Sequence, residues 1–295
     1  MKKRIKQTDT GRKVISKRRD IINRLIRNRN AVIGLVIVLI IIFVAAFAGL
    51  LVDYDTEVIK ANYKQRLQKP NSEHILGTDE LGRDLLCRLI YACRMSVMIG
   101  VLATIAAVGL GILIGAVAGY FGGWIDSLLM RICDIFEGIP SFLLAITITA
   151  AFGTTLINLM IAMGLAQFAT QARVIRGSVM TIKDQEYIEA AKAMGASDWQ
   201  IIWNHVVPND VAIIIVQATL KIGGGILSAS SLSFLGLGVQ PPDPEWGAML
   251  SAGRSHLLDN PYLTLFPGLC IMITILAFNM LGDGLRDALD PRMKG

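Results

Sequence analysis

Hydrophobic positions in this chain come in long unbroken runs rather than in the short alternations of a soluble domain. Residues 31–52, 95–121 and 138–172 contain no Asp, Glu, Lys or Arg. A helix rising about 1.5 Å per residue needs about 20 apolar residues to cross a hydrocarbon core of about 30 Å. The third run is too long for one helix, and Phe152-Gly-Thr-Thr155 supplies a turn near its middle. Two further apolar segments follow at 211–232, which holds Lys221, and at 262–281. The pattern predicts six transmembrane helices, near 31–52, 95–120, 138–152, 155–172, 211–232 and 262–281. The third is expected to start before Gly138, because 128–137 reads as helical. Only helices or closed barrels satisfy their backbone groups in lipid. Continuous apolar runs select helices, so the fold class is an all-α integral membrane protein.

Composition agrees: 53% of residues are hydrophobic and 18% charged, with a mean hydropathy of +0.54. The net charge of +6 is misleading as a global figure, because residues 1–30 alone hold 12 of the 29 Lys and Arg residues. Such a tail reads as an anchor on the cytoplasmic side, touching anionic membrane lipid, rather than as a nucleic-acid site. With six spans, twenty basic residues fall on the side of the N-terminus and eight on the other. Both termini are therefore expected in the cytoplasm. The basic region and the apolar run after it are both longer than in a signal peptide, so an uncleaved first helix is expected. The chain divides into a basic tail (1–30), a first transmembrane helix with an extracytoplasmic loop (31–94), a core with five transmembrane helices (95–283) and a C-terminal tail (284–295). A polar cytoplasmic insert at about 184–208 interrupts the core.

That insert carries the most information. Residues Glu186–Met194 favour a helix, and Gly195 stops it as a glycine in left-handed conformation does. Ser197 or Asp198 can cap a second helix. Trp199, Ile202, Trp203 and Val206 then form one apolar stripe, and Pro208 is expected to end this helix before the fifth span. Glu189 and Lys192, one turn apart, can support the first helix as an ion pair.

Other residues stand out. Lys221 is too deep in its helix to face lipid without cost. It either lines an aqueous translocation path, where it would meet a peptide carboxylate, or pairs with Asp134 or Glu137. Gly111, Gly115 and Gly119 make a ladder for close helix approach, within the chain or against a second subunit. The 53–94 loop is a docking surface for a binding protein or a self-packed cover. Trp246 is expected as an interfacial anchor. Cys87 and Cys93 can be bridged or can act as small apolar residues. The chain has no G-x-x-x-x-G-K-[ST] phosphate loop, no HExxH, and three scattered histidines, His74, His205 and His256. No catalytic or metal residue is assigned.

Four segments carry a family resemblance. Glu189-Ala190-Ala191, then Gly195 and later Pro208, resembles the EAA loop of bacterial ABC importer permeases, with His205-Val-Val-Pro-Asn209 similar to the peptide-permease variant. Leu76-Gly-Thr-Asp-Glu-Leu-Gly-Arg-Asp84, Leu232–Leu250 and Ala277–Pro291 resemble segments of the dipeptide and oligopeptide permeases, although Ala92-Cys93 and Ser228–Ser231 depart from the usual pattern. The resemblance implies a type I ABC importer permease (MetI-like) fold in the bacterial inner membrane. It further implies that Glu189, Ala190, Ala191, Gly195 and Pro208 form an ATPase-coupling helix. The implied partners are a second permease subunit (DppB-like), two ABC ATPase subunits (DppD/DppF-like) and an extracytoplasmic peptide-binding protein. No cofactor is expected in this chain, with ATP and Mg bound by the partner subunits. The expected activity is import of short peptides by a non-catalytic subunit. Glutathione, nickel chelates or opines are alternative cargoes, and an ion-coupled secondary transporter is the rival from another class.

Overall fold

The computed structural model describes residues 17–289. The basic tail before Lys17 and the C-terminal residues from Asp290 lie outside the described residues, and so does the expected lipid contact of that tail. Helices make up 79% of the structure, and the described residues hold no strand beyond one isolated bridge between Thr78 and Asp84.

A short helix α1 (Lys17–Arg27) leads into α2 (Arg29–Leu51), whose first turn is capped by Asn28 accepting from the Ala31 amide at 3.2 Å. A compact loop then runs to Asp84, which caps α3 (Leu85–Phe121) by accepting from the Cys87 amide at 2.9 Å. The second span thus begins ten residues earlier than its uncharged run. Arg88 sits inside the helix and is 7% exposed. Its guanidinium donates to the Val58 carbonyl at 2.7 Å and lies 3.4 Å from Asp79. A paired cation does not have to end an apolar helix.

Helices α4 (Gly123–Glu137) and α5 (Ser141–Phe152) meet at Gly-Ile-Pro140 with a bend of 81°. Then come α6 (Leu156–Ile182), α7 (Glu186–Ala193), α8 (Asp198–Ile201) and α9 (Val207–Phe234), with α10 (Trp246–Gly253) and α11 (Tyr262–Leu289) completing the chain. Among the described residues four helices are long and apolar enough to cross a membrane: α2, α3, the continuous helix Asp198–Phe234, and α11. The α4–α5 pair makes a fifth if it is one span. The expected count of six is therefore not reached on length and composition. The shortfall is at α6, which is 27 residues long but carries Gln167, Gln171, Arg173 and Arg176.

α6 holds its polar residues by pairing as well as by burial: Arg173 pairs with Asp134 and Glu137, Arg176 with Asp126, and Gln171 is buried. The helix lies along α3 at the centre of the bundle, and the glycine ladder makes this contact. A Cβ on Gly111 would stand 2.6 Å from the Gln171 Cβ, one on Gly115 would stand 2.4 Å from the Ala172 carbonyl, and one on Gly119 would stand 2.9 Å from the Arg176 carbonyl. The ladder thus serves packing within the chain. In lipid, where burial gives no hydrophobic gain, such backbone approach is a main source of helix association.

The loop after α2 folds onto the ends of α3 and α11. Asp79 accepts from the amides of Leu81 and Arg83 at 2.9 and 3.0 Å and from Arg83 Nε at 2.7 Å. The Tyr262 hydroxyl donates to the carbonyls of Gln68 and Thr78 at 3.0 and 3.2 Å. Tyr54 donates to Asp243, and that bond pushes the Tyr54 phenol up to about 12. Trp246, expected at the membrane interface, is instead 3% exposed, with its indole donating to the Leu89 carbonyl at 3.2 Å. Glu245 is fully buried and accepts from Ser96, Ser230 and the Ala248 amide at 3.1, 3.2 and 2.9 Å. The self-packed reading of this region matches the geometry. All four cysteines are free.

We expect Gly115→Val to destabilise the protein by about 1–3 kcal/mol, as overpacking does. Gly109→Ala, where a Cβ meets nothing within 4 Å, should be neutral or stabilising by up to about 1 kcal/mol. Thermal unfolding in detergent distinguishes the two; equal behaviour would contradict the ladder's role.

Candidate functional site

Helices α7 and α8 form a knob at one end of the bundle. Its exposed turn is held locally. Gly195 takes φ +86°, beyond the comfortable range of an L side chain. Ser197 caps α8 by accepting from the Gln200 amide, and the Gln200 side chain accepts in return from the Ser197 amide at 2.9 Å. This capping box selects Ser197 over Asp198 as the cap.

The chain then continues through a π turn, Ile202–Val206, into α9. The stop expected at Pro208 does not occur, and Asp198–Phe234 is one helix of 37 residues. The physical reason is visible in the bonding. Pro208 has no N–H to return to the previous turn. The π turn lets the Val207 amide reach back five residues to Ile202, and the Asn209 side chain donates to the His205 carbonyl at 2.6 Å. The expected apolar stripe is corrected too. Ile201, Ile202 and Val206 are fully buried, whereas Trp199 and Trp203 are 56% and 39% exposed.

The knob has two faces. Ile188 and Ala191 point inward, into a cluster with Ala116 and Tyr120 of α3, Ile175 and Val179 of α6, and Ile201, Ile202 and Val206. Glu186, Glu189, Ala190 and Ala193 are exposed and share the opposite face. Of the residues assigned to coupling, Glu189, Ala190 and Gly195 are therefore outward. Ala191 is 2% exposed and belongs to the foundation. Pro208 lies at the root of α9. Met194, missed in the sequence reading, is 83% exposed at the tip. The Glu189–Lys192 pair does not form. Lys192 lies over the Tyr120 ring, 5.2 Å from its centroid, and Glu189 has no polar partner among the described residues. Burial raises the Tyr187 phenol above its usual value.

Asp210, also missed, is 1% exposed two residues after Pro208. The Ser178 hydroxyl donates to its Oδ1, and its Oδ2 has no hydrogen-bond partner among the described residues. The bond joins the end of α6 to the start of α9. A carboxylate immediately before the expected span at 211 was the available signal.

Lys221 lies about 20 Å along α9 from Pro208 at the helical rise. Its proposed ion-pair partners are taken: Arg173 bonds to Asp134 and, at 2.9 Å, to Glu137. Lys221 is half-buried and has no ion pair or hydrogen bond among the described residues. On its side of α9, Gly224 faces open space and Ser231 follows at 15 Å of rise. There an open apolar groove of about 640 Å³ begins, lined by Phe142, Leu227, Ser231, Phe234, Ile271 and Leu276 among others.

The comparisons agree with this architecture. A family described as "Binding-protein-dependent transport system inner membrane component" matches residues 111–295, and one described as "N-terminal TM domain of oligopeptide transport permease C" matches residues 16–70. The chain belongs to the family of binding-protein-dependent transport system inner membrane components, and is a multi-pass ABC importer permease. It is 45% identical to the dipeptide transport system permease protein DppC of Alkalihalophilus pseudofirmus over 95% of this chain and 91% of the relative. It is 42% identical to the glutathione transport system permease protein GsiD of Pectobacterium atrosepticum over 94% and 91%. The fold is that of the inward-facing MetNI methionine ABC transporter, with a TM-score of 0.56 at 16% identity over 69% of this chain and 96% of that one.

Gly195→Ala should raise the rate of proteolysis within 184–208 about fivefold, the cost of about 1 kcal/mol for a left-handed L residue. Gly195→Asn should cost less. Equal rates for all three chains would show that the turn is not strained.

Proposed function

We propose that this permease carries short peptides across the bacterial cytoplasmic membrane, driven through the exposed face of α7 by partner ATPases. The single observation that supports the reading is the two-faced knob. Glu189 and Ala190 stand on an outward face, Glu189 without a polar side-chain partner among the described residues, while Ile188 and Ala191 on the other face seat the knob against the ends of α3 and α6. An ATPase that docked there would push on packed side chains, not on a loose loop. ATP and Mg are bound by those subunits. In this arrangement the knob end and both termini are cytoplasmic, a second permease completes the pathway, and a binding protein delivers cargo at the opposite end. Differential contact energy between nucleotide states of the ATPase would bias the inward-open and outward-open states.

The path in this subunit follows the Lys221 side of α9. An unpaired ammonium there is suited to a peptide's terminal carboxylate, and the groove near Ser231 is suited to side chains. Glutathione, itself a peptide with two free carboxylates, fits the same chemistry, and dipeptide and glutathione permeases both appear among the relatives.

Purifying the tagged chain in mild detergent is expected to recover ATPase subunits and a second permease. Ala190→Arg should lose the ATPase while keeping the permease partner; unchanged recovery would remove α7 as the contact. Uptake by the native chain in vesicles free of any ATPase would overturn the reading altogether. Lys221→Met should raise the KM for labelled dipeptide about threefold to fivefold at unchanged assembly, the worth of a solvated ion pair. An unaltered KM would exclude Lys221 from the path.

A further inference from the structure

The α7–α8 knob is fastened to α3 by polar contacts as well as by apolar packing. The Tyr120 hydroxyl, one residue before the end of α3, donates to Asp198 Oδ1 at 2.7 Å. Lys192 of α7 covers the face of the same ring, and Trp199 of α8 meets the neighbouring Phe121 edge-on with centroids 6.2 Å apart. Tyr120 is 8% exposed and Asp198 is exposed, so the bond closes the rim of the apolar seat. Directly after it, Gly122 and Gly123 at φ +65° and +55° turn the chain away. The contact is therefore the last point at which α3 and the knob move together.

The other end of α3 is equally fixed. Asp84 caps it and pairs with His74 at 2.8 Å, Arg88 ties it to the carbonyl of Val58, and Leu89 and Ser96 bond to Trp246 and Glu245. Between these ends run 37 helical residues, about 55 Å at the helical rise. We propose that Tyr120 is a positioning residue that locks the knob to α3, and that α3 is a rod carrying displacement of the knob to the folded loop around Asp79 and Glu245 at the far end. Continuity of α8 with α9 moves the path-lining helix; the Tyr120–Asp198 bond makes the far-end cover move in step with it.

The inference rests on the importer reading, and the test separates the two. The complete complex of this chain with its copurified partners and binding protein is placed in proteoliposomes, and peptide uptake is measured per ATP hydrolysed. Import by the native chain without any ATPase would overturn the importer reading and this inference with it. If import requires the ATPase, Tyr120→Phe should assemble and hydrolyse ATP as the native complex does, yet lose about tenfold in uptake per ATP, the worth of one hydrogen bond to a carboxylate. Asp198→Asn keeps an acceptor oxygen and should restore coupling to near the native ratio, whereas Asp198→Ala should match Tyr120→Phe. The double variant Tyr120→Phe/Asp198→Ala should lose no more than either single change. A native uptake ratio in Tyr120→Phe would overturn the proposal. So would additive losses in the double variant, or a fall in assembly with the ratio intact, which would mark a packing role only.

Discussion

The seat of the knob is the constraint on which the rest of the structure depends. Ile188 and Ala191 of a short surface helix share one buried cluster with residues of α3, α6 and the α8–α9 helix. An eight-residue helix such as α7 has no stability of its own in water. It keeps its shape because its inner face fills the space where three long helices converge. Through that packing a push on a small exposed patch becomes a push on most of the bundle. Close-packed interiors transmit strain instead of absorbing it.

The glycine ladder extends this rigidity along the bundle. Gly111, Gly115 and Gly119 bring α3 to near backbone contact with α6, so these two helices have little freedom to slide. At the opposite end, buried Glu245 draws Ser96 of α3, Ser230 of α9 and the start of α10 onto one carboxylate. The far end of α3 is thus fixed by charged and polar groups, while its knob-end half is held against α6 by shape as well as by the Tyr120–Asp198 bond.

Much of this was legible in the sequence, and the failures have specific causes. Gly195 and Ser197 announced the turn and the cap because their roles are local, fixed by φ and by one hydrogen bond. Pro208 misled because a proline normally ends a helix; the π turn that accommodates it leaves no compositional mark. The tryptophans misled as well: Trp199 and Trp203 were read into the apolar stripe, whereas Ile201 takes the inner face with Ile202 and Val206. The start of α3 was placed too late because Arg94 bounds the uncharged run and Arg88 lies a further six residues back, its partner Asp79 coming from a separate loop. Trp246 was expected as an interfacial anchor, and its burial together with Glu245 depends on α3 and α9 arriving from distant parts of the chain. The six-span count is not reached at α6 because Gln167, Gln171, Arg173 and Arg176 lower its hydropathy, the two arginines being paired with Asp126, Asp134 and Glu137.

The central claim is that the knob and the bundle form one rigid body. It is tested most directly by a distance. In a variant with the four native cysteines replaced by serine, spin labels at Met194→Cys on the knob and Ile105→Cys on α3 report their separation by pulsed electron resonance as the assembled complex is taken through its nucleotide states. Both positions are well exposed. The account predicts one narrow distance distribution that holds in every state, even as labels on this chain move relative to the partner subunits. A distribution that shifts or broadens when nucleotide binds would show the knob swinging on its own, and the seat described here would not be what transmits the force.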